Sequence, residues 1–145
     1  MADAQTIRRA PRRRAMWLPA LLLAAAPACA GVVVIGHAGV PRLDDGTVQK
    51  IYSGKVVEVA GLGVTAVNQR SGSAARGQFL QMYLNQDEEK YTAYWTVRRY
   101  IGKGTPPREL ATGADVINFV QGTPGAIGYV DDGELKPGVN VLLRK

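Results

Sequence analysis

The sequence predicts an α/β domain over residues 31–145, with helices on both faces of a sheet. Two observations predict it. Val32 to Ile35 is an unbroken apolar run, which reads as a central strand covered on both sides. Behind it, strand-like runs alternate with segments of helical spacing as far as Leu143.

Gly36 to Arg42 reads as a turn region that contains His37, Gly39 and Pro41. A short helix follows, opened by Asp44 or Asp45, carrying Val48, Ile51 and Tyr52, and stopped at Ser53-Gly54 with Gly54 as its left-handed cap. Val56 to Val59 and Val64 to Asn68 alternate like strands, joined around Gly61-Leu62-Gly63. After the polar loop Gln69 to Gly72, Ser73 caps a helix to about Leu84, with Phe79, Leu80, Tyr83 and Leu84 as its buried stripe. Asp87-Glu88-Glu89 opens the next helix with the acidic first turn that a helix dipole favours, and that helix ends near Gly102. Gly104 to Arg108 reads as a loop, Asp115 to Gln121 as a short helix, and Ala126 to Val130 and Asn140 to Leu143 as the last strands.

With 145 residues, 46% of them hydrophobic, the chain supports one core and not two. One cysteine excludes an internal disulfide and multi-cysteine metal sites; one histidine excludes a paired-histidine zinc site. No cofactor or metal is expected. The net charge of +6 is concentrated at the N-terminus: residues 1–30 carry five arginines and one aspartate, against 13 basic and 11 acidic side chains in residues 31–145. The body is therefore not expected to bind nucleic acid.

Residues 1–30 read as a secretory signal peptide. Arg8, Arg9, Arg12, Arg13 and Arg14 form the positive region, Ala15 to Ala28 is uncharged and apolar, and Ala28-Cys29-Ala30 places cleavage after Ala30. A membrane anchor is disfavoured because the apolar run is shorter than the about 20 residues a span needs. A lipoprotein at Cys29 is disfavoured because Gly31 to Ile35 already reads as strand, where a lipid tether would need slack. The expected compartment is the periplasm.

The segment most informative about chemistry is Asn68 to Phe79, NQRSGSAARGQF. A strand gives way to a glycine turn and then to a helix start. The amides of Ala75 and Arg76 would point out of that start beside the hydroxyls of Ser71 and Ser73, with Arg70 or Arg76 supplying charge. Such a constellation suits an oxyanion; the plainer alternative is that Ser73 is only an N-cap. His37 follows the predicted central strand, where ligands gather in open α/β sheets. Gly61-x-Gly63-x-x-Ala66 fails as a dinucleotide fingerprint because a strand follows it. Asp131-Asp132 reads as an exposed turn, and Tyr91, Tyr94 and Trp95 as packing.

Several runs together resemble the phosphate ABC transporter substrate-binding family, in a small form with a fold like type II periplasmic binding proteins. They are Ile51-Tyr52-Ser53-Gly54-Lys55, Val67-Asn68-Gln69 before Gly72-Ser73, Phe79-Leu80, Tyr94-Trp95, and Pro124-Gly125-Ala126-Ile127-Gly128-Tyr129-Val130. The resemblance implies a single lobe with a mixed, mostly parallel sheet, and oxyanion recognition with phosphate first. Its ligand set is Arg70, Ser71, Gly72, Ser73, Ala74, Ala75 and Arg76, with His37 across a cleft. Ala74 and Ala75 stand where larger relatives have glycine and threonine, and Gln69 stands at the arginine position. The implied protein is non-enzymatic and serves an ABC-type transport or sensing system, with a membrane permease or sensor, or a second copy, as partner. The rival reading is an interaction module that docks a transporter, sensor or porin without binding ligand. A hydrolase is disfavoured because no base accompanies Ser71 or Ser73 in the motif.

Overall fold

The computed structural model describes residues 31–145. The expected leader, with Cys29 and the cleavage position, lies outside the described residues. β1 (Val32–Gly36) is buried at every position. α1 (Asp45–Tyr52) is capped by Asp44, whose carboxylate accepts from the Thr47 amide at 2.7 Å. The chain leaves it through Gly54, at φ 74°, where a Cβ would sit 2.7 Å from the Trp95 ring. β2 (Glu58–Val59) and β3 (Leu62–Gly63) form a two-residue hairpin, and β4 (Thr65–Gln69) follows. α2 (Ala74–Phe79), capped by Ser73, runs on as a wider π-helical turn over Leu80–Leu84. α3 (Glu88–Tyr100) is capped by Asp87, β5 (Arg108–Leu110) is a three-residue strand, and α4 (Gly113–Gly122) is capped by Thr112. β6 (Ala126–Asp131) and β7 (Asn140–Arg144) complete the sheet, with a 3-10 turn at Asp132–Glu134 between them.

Two strand expectations are corrected. The segments at 56–59 and 64–68 meet through the Val64 amide, which donates to the Val57 carbonyl at 2.9 Å, but the ladder of the hairpin is Glu58–Val59 with Leu62–Gly63. The turn closes earlier, at Ala60 (φ 50°) and Gly61 (φ 79°), the two positive-φ residues a tight hairpin needs. Thr65 onward then joins the main sheet. β5 was hidden because Arg108-Glu109-Leu110 has no apolar alternation and directly follows Pro106 and Pro107, inside the stretch read as a loop.

The main sheet has the order β5-β4-β6-β1-β7. β4 runs parallel to β5 and β6, whereas β1 runs antiparallel to both β6 and β7. Four of the five strands therefore point one way and β1 points the other, a mixed and mostly parallel sheet. Each face of β1 has its own core. Val32 and Val34 pack under α1, α2, the π turn and α3, through Tyr52, Phe79, Tyr83 and Trp95. Val33 and Ile35 pack against Val116, Ile117 and Val120 of α4. Both faces of β1 are covered by side chains of the described residues.

The buried tyrosines tie that core to the end of β4. Tyr52 donates to the Val67 carbonyl at 2.9 Å and Tyr83 to the Val32 carbonyl at 2.7 Å. Tyr129 donates to Asn68 Oδ1 at 3.1 Å and accepts from the Gln69 amide at 3.0 Å. Burial pushes the Tyr52 and Tyr129 hydroxyls well above the ordinary phenol range, so they remain donors.

Candidate functional site

The segment from Arg70 to Arg76 forms one compact turn at the end of β4. The Ser73 amide donates to the Arg70 carbonyl at 3.1 Å. Gly72 stands at the corner with φ 83°, a geometry that favours glycine. Ser73 Oγ accepts from the Arg76 amide at 3.2 Å and caps α2. That bond occupies one amide expected to face a ligand. The amides of Ala74 and Ala75 have no hydrogen-bond partner among the described residues. Ser71, Gly72 and Ala74 are exposed, and so is the side chain of Arg70, while Ala75 is buried.

Gln69 turns away from this turn. Its Nε2 donates to the Tyr129 carbonyl at 2.9 Å inside the core. Arg76 also points inward and is 5% exposed. Its Nε and Nη2 grip the Glu88 carboxylate at 2.8 and 2.7 Å, and its Nη1 reaches Glu109 Oε1 at 2.6 Å and the Gln69 carbonyl at 3.2 Å. Ser71 Oγ donates to the same Glu88 carboxylate at 2.8 Å, and Thr92 Oγ1 does so at 3.3 Å. Burial works against the Arg76 charge, but the hydrogen bonds and field of Glu88 and Glu109 hold its pKa above the ordinary value. Burial likewise pushes Glu88 up; its bonds to Arg76 and Ser71 outweigh that and hold it below the ordinary 4.5.

A cavity of about 240 Å³ opens here, lined by Ser71, Arg76, Glu88, Thr92, Trp95 and Glu109 among others. Hollows of about 320 and 480 Å³ lie beside α1 and along β7, and no residue of the Arg70–Arg76 segment lines them. One guanidinium meets two carboxylates in the smaller cavity, so Arg76 offers no net positive charge to an incoming anion. Ser71 does meet a carboxylate, contrary to the motif-level reading. Glu88 is a poor proton acceptor because Arg76 stabilises its ionised form.

The structure brings Arg70, Ser71, Gly72, Ser73, Ala74, Ala75 and Arg76 together and leaves His37 out. Because β1 opposes β4 in direction, the end of β1 lies beside the beginnings of β4 and β6: Gly36 faces Ile127, and Ala66 pairs with the same residue. His37 is therefore at the opposite end of the sheet from Ser71. There its amide donates to the Ala126 carbonyl at 2.9 Å, its Nδ1 lies 3.0 Å from the Val120 carbonyl, and its own carbonyl accepts from Asn140 at 3.0 Å. The expected cleft between the His37 loop and the α2 start does not form, and His37 serves as a loop brace. Sequence reasoning missed Glu88, Thr92 and Glu109. Glu88 carried only the signature of an acidic first helix turn, and Glu109 lies on the unrecognised β5. Among the described residues no group of His, Cys, Asp and Glu could hold a metal ion, and no helix is long and apolar enough to cross a membrane.

No protein-family model matches the chain, and no curated protein matches its sequence. Solved structures do match its fold. An ABC-type phosphate transport receptor from Vibrio cholerae superposes with a TM-score of 0.54 at 12% identity, covering 77% of this chain and 45% of the receptor. A protein from Clostridium perfringens assigned as a phosphate ABC transporter substrate-binding protein, with bound phosphate, gives 0.60 at 20% identity, covering 77% and 44%. PstS from Borrelia burgdorferi gives 0.57 at 17% identity, covering 77% and 46%. The chain thus has the fold of a periplasmic-binding-protein lobe and spans less than half the length of the phosphate-transport proteins it resembles.

Proposed function

We propose that the chain is a non-enzymatic, exported solute-binding lobe that recognises an oxyanion, phosphate first, as one half of a site. The observation that carries this reading is the β4–α2 turn, where the amides of Ala74 and Ala75 stand unpartnered at a helix start. The Ser73 hydroxyl accepts the cap bond and keeps its own proton for a ligand, and Arg70 is the exposed cation nearby in sequence. The names of the Vibrio cholerae and Clostridium perfringens neighbours support phosphate as the first ligand to test. An exposed half-site competes with water at every bond, so affinity near millimolar, about −4 kcal/mol, is expected for the single chain. A second body, either another copy or a permease or sensor of an ABC-type system, would close the site.

One observation favours a second reading. Glu88 already holds Ser71 and Arg76, and Arg76 is charge-compensated twice over. In that reading ligand binding is lost and the fold serves as an interaction module for a transporter, sensor or porin. Calorimetry of residues 31–145 against phosphate and sulfate separates the two. Under the leading reading wild type binds phosphate weakly and Arg70→Gln weakens it further. If no oxyanion binds at millimolar concentration, the interaction module takes its place.

A further inference from the structure

Four side-chain donors converge on one carboxylate beside the β4–α2 turn. Arg76 Nε and Nη2 meet the two Glu88 oxygens at 2.8 and 2.7 Å, and the Ser71 and Thr92 hydroxyls donate to Glu88 Oε1 at 2.8 and 3.3 Å. A forked guanidinium with two hydroxyls is a donor set that suits a free oxyanion, and charge-assisted bonds of this kind are the strong ones. The cage has supports other than Glu88. Arg76 is 5% exposed, its Nη1 donates to Glu109 and to the Gln69 carbonyl, and its Cζ lies 5.5 Å from the centre of the Tyr91 ring. Ser71 belongs to the turn that the Gly72 corner and the Ser73 cap shape locally. Glu88, by contrast, is 36% exposed and stands in the first turn of α3. Its carboxylate can therefore turn out to water without unpacking the core.

The cage borders open space. Ser71, Arg76, Glu88 and Thr92 all line the cavity of about 240 Å³, and Arg99 lines it as well. Arg99 is exposed and makes no ion pair among the described residues. With Glu88 in place, the two arginines of the lining face two carboxylates. With Glu88 turned out or uncharged, they face Glu109 alone, and the lining becomes net positive. We propose that Glu88 is a tethered stand-in for an oxyanion: it fills the cage of Arg76, Ser71 and Thr92 and holds down the affinity of the adjoining β4–α2 turn until a ligand oxyanion displaces it. This rests on the reading of that turn as an oxyanion half-site and names its regulation. A tethered competitor lowers the apparent affinity by the fraction of molecules in which it has left the cage. Displacement adds a guanidinium and two hydroxyls to the donors open to the ligand.

Calorimetric titration of the purified protein with inorganic phosphate tests this. Glu88→Gln keeps the size of the side chain, removes its charge and leaves one acceptor oxygen, so phosphate should bind about tenfold more tightly than to wild type. Adding Ser71→Ala to Glu88→Gln should take back most of that gain. Glu89→Gln removes the same charge from the same helix turn, but Glu89 is exposed and does not line the cavity, so this variant should bind as wild type does. Melting curves accompany each titration. If Glu88→Gln does not fold, Glu88→Asp carries the test, because it keeps an acid at the start of α3 and shortens the reach to Arg76; a smaller gain of the same sign is expected. Equal phosphate affinity of wild type and the folded Glu88 variant would overturn the proposal and leave the half-site reading standing. An equal gain from Glu89→Gln would overturn it too, by assigning the effect to net charge. Binding by Glu88→Gln with none by wild type would support the proposal and remove the half-site reading for the unmodified chain. Absence of binding by both would sink the two together.

Discussion

Replacing Glu88 with glutamine tests the Arg76 network most directly. The Glu88 carboxylate accepts from Arg76 at 2.8 and 2.7 Å, from Ser71 at 2.8 Å and from Thr92 at 3.3 Å. Glutamine keeps one acceptor oxygen but turns an NH₂ toward a guanidinium that can only donate. Charge-assisted hydrogen bonds contribute about 1.5–3 kcal/mol each. Glu88 is 36% exposed, which screens the pair, and Glu109 still neutralises Arg76. The net loss should therefore be about 2 kcal/mol at neutral pH. For a domain of this size that lowers Tm by roughly 8 °C. The sign of the pH dependence follows from the direction of the Glu88 shift. Its pKa in the folded state lies below the ordinary 4.5, so its contribution is full above that value and disappears as pH falls through the folded pKa. Urea denaturation of wild type and Glu88→Gln should show a gap of about 2 kcal/mol near neutrality that narrows as pH falls below the ordinary carboxylate range. A gap under about 0.5 kcal/mol at neutral pH, or one of equal size at both ends, would refute the assignment of Glu88 as the ionised partner of Arg76.

Tyr129→Phe leaves the Gln69 amide and Asn68 Oδ1 without the buried hydroxyl they share, and should cost about 1–3 kcal/mol in urea denaturation. Gly125→Ala forces a side chain at φ 76° and sets its Cβ against the Gly63 carbonyl, so about 3 kcal/mol or more should be lost, read as a lower denaturation midpoint or loss of soluble protein. His37→Ala should leave any phosphate titration unchanged, whereas Arg70→Gln should weaken it; an equal effect of the two would contradict the placement of His37 at the far end of the sheet.

The legible parts of the fold were those with strong local chemistry. Asp44, Ser73 and Asp87 each announce a helix start, and each caps one. The apolar run at β1 announces burial, and all five of its residues are buried. What the sequence could not give was direction. Val32 to Ile35 reads the same whether it runs with its neighbours or against them, because a strand buried on both faces has no sidedness. That single ambiguity moved His37 from one end of the sheet to the other. The same limit applied to Arg76. At a helix start it reads as an exposed charge, and only the convergence of α3 and β5 supplies the two carboxylates that draw it inward. Neither Glu88 nor Glu109 is close to it in sequence, so no local pattern could have paired them.

These placements determine how an oxyanion site on this lobe would have to work. A buried arginine with two carboxylates spends its hydrogen bonds on joining α2, α3 and β5, and a ligand can recruit it only by displacing Glu88. The donors that need no displacement are the Ala74 and Ala75 amides, the Ser73 hydroxyl and the exposed Arg70. They belong to the turn at the end of β4, and His37, expected to face them across a cleft, sits at the other end of the sheet. Affinity must then come from whatever faces that turn. Adding the second body should tighten phosphate binding far more than any substitution within the lobe, because enclosure removes water from every one of those bonds at once.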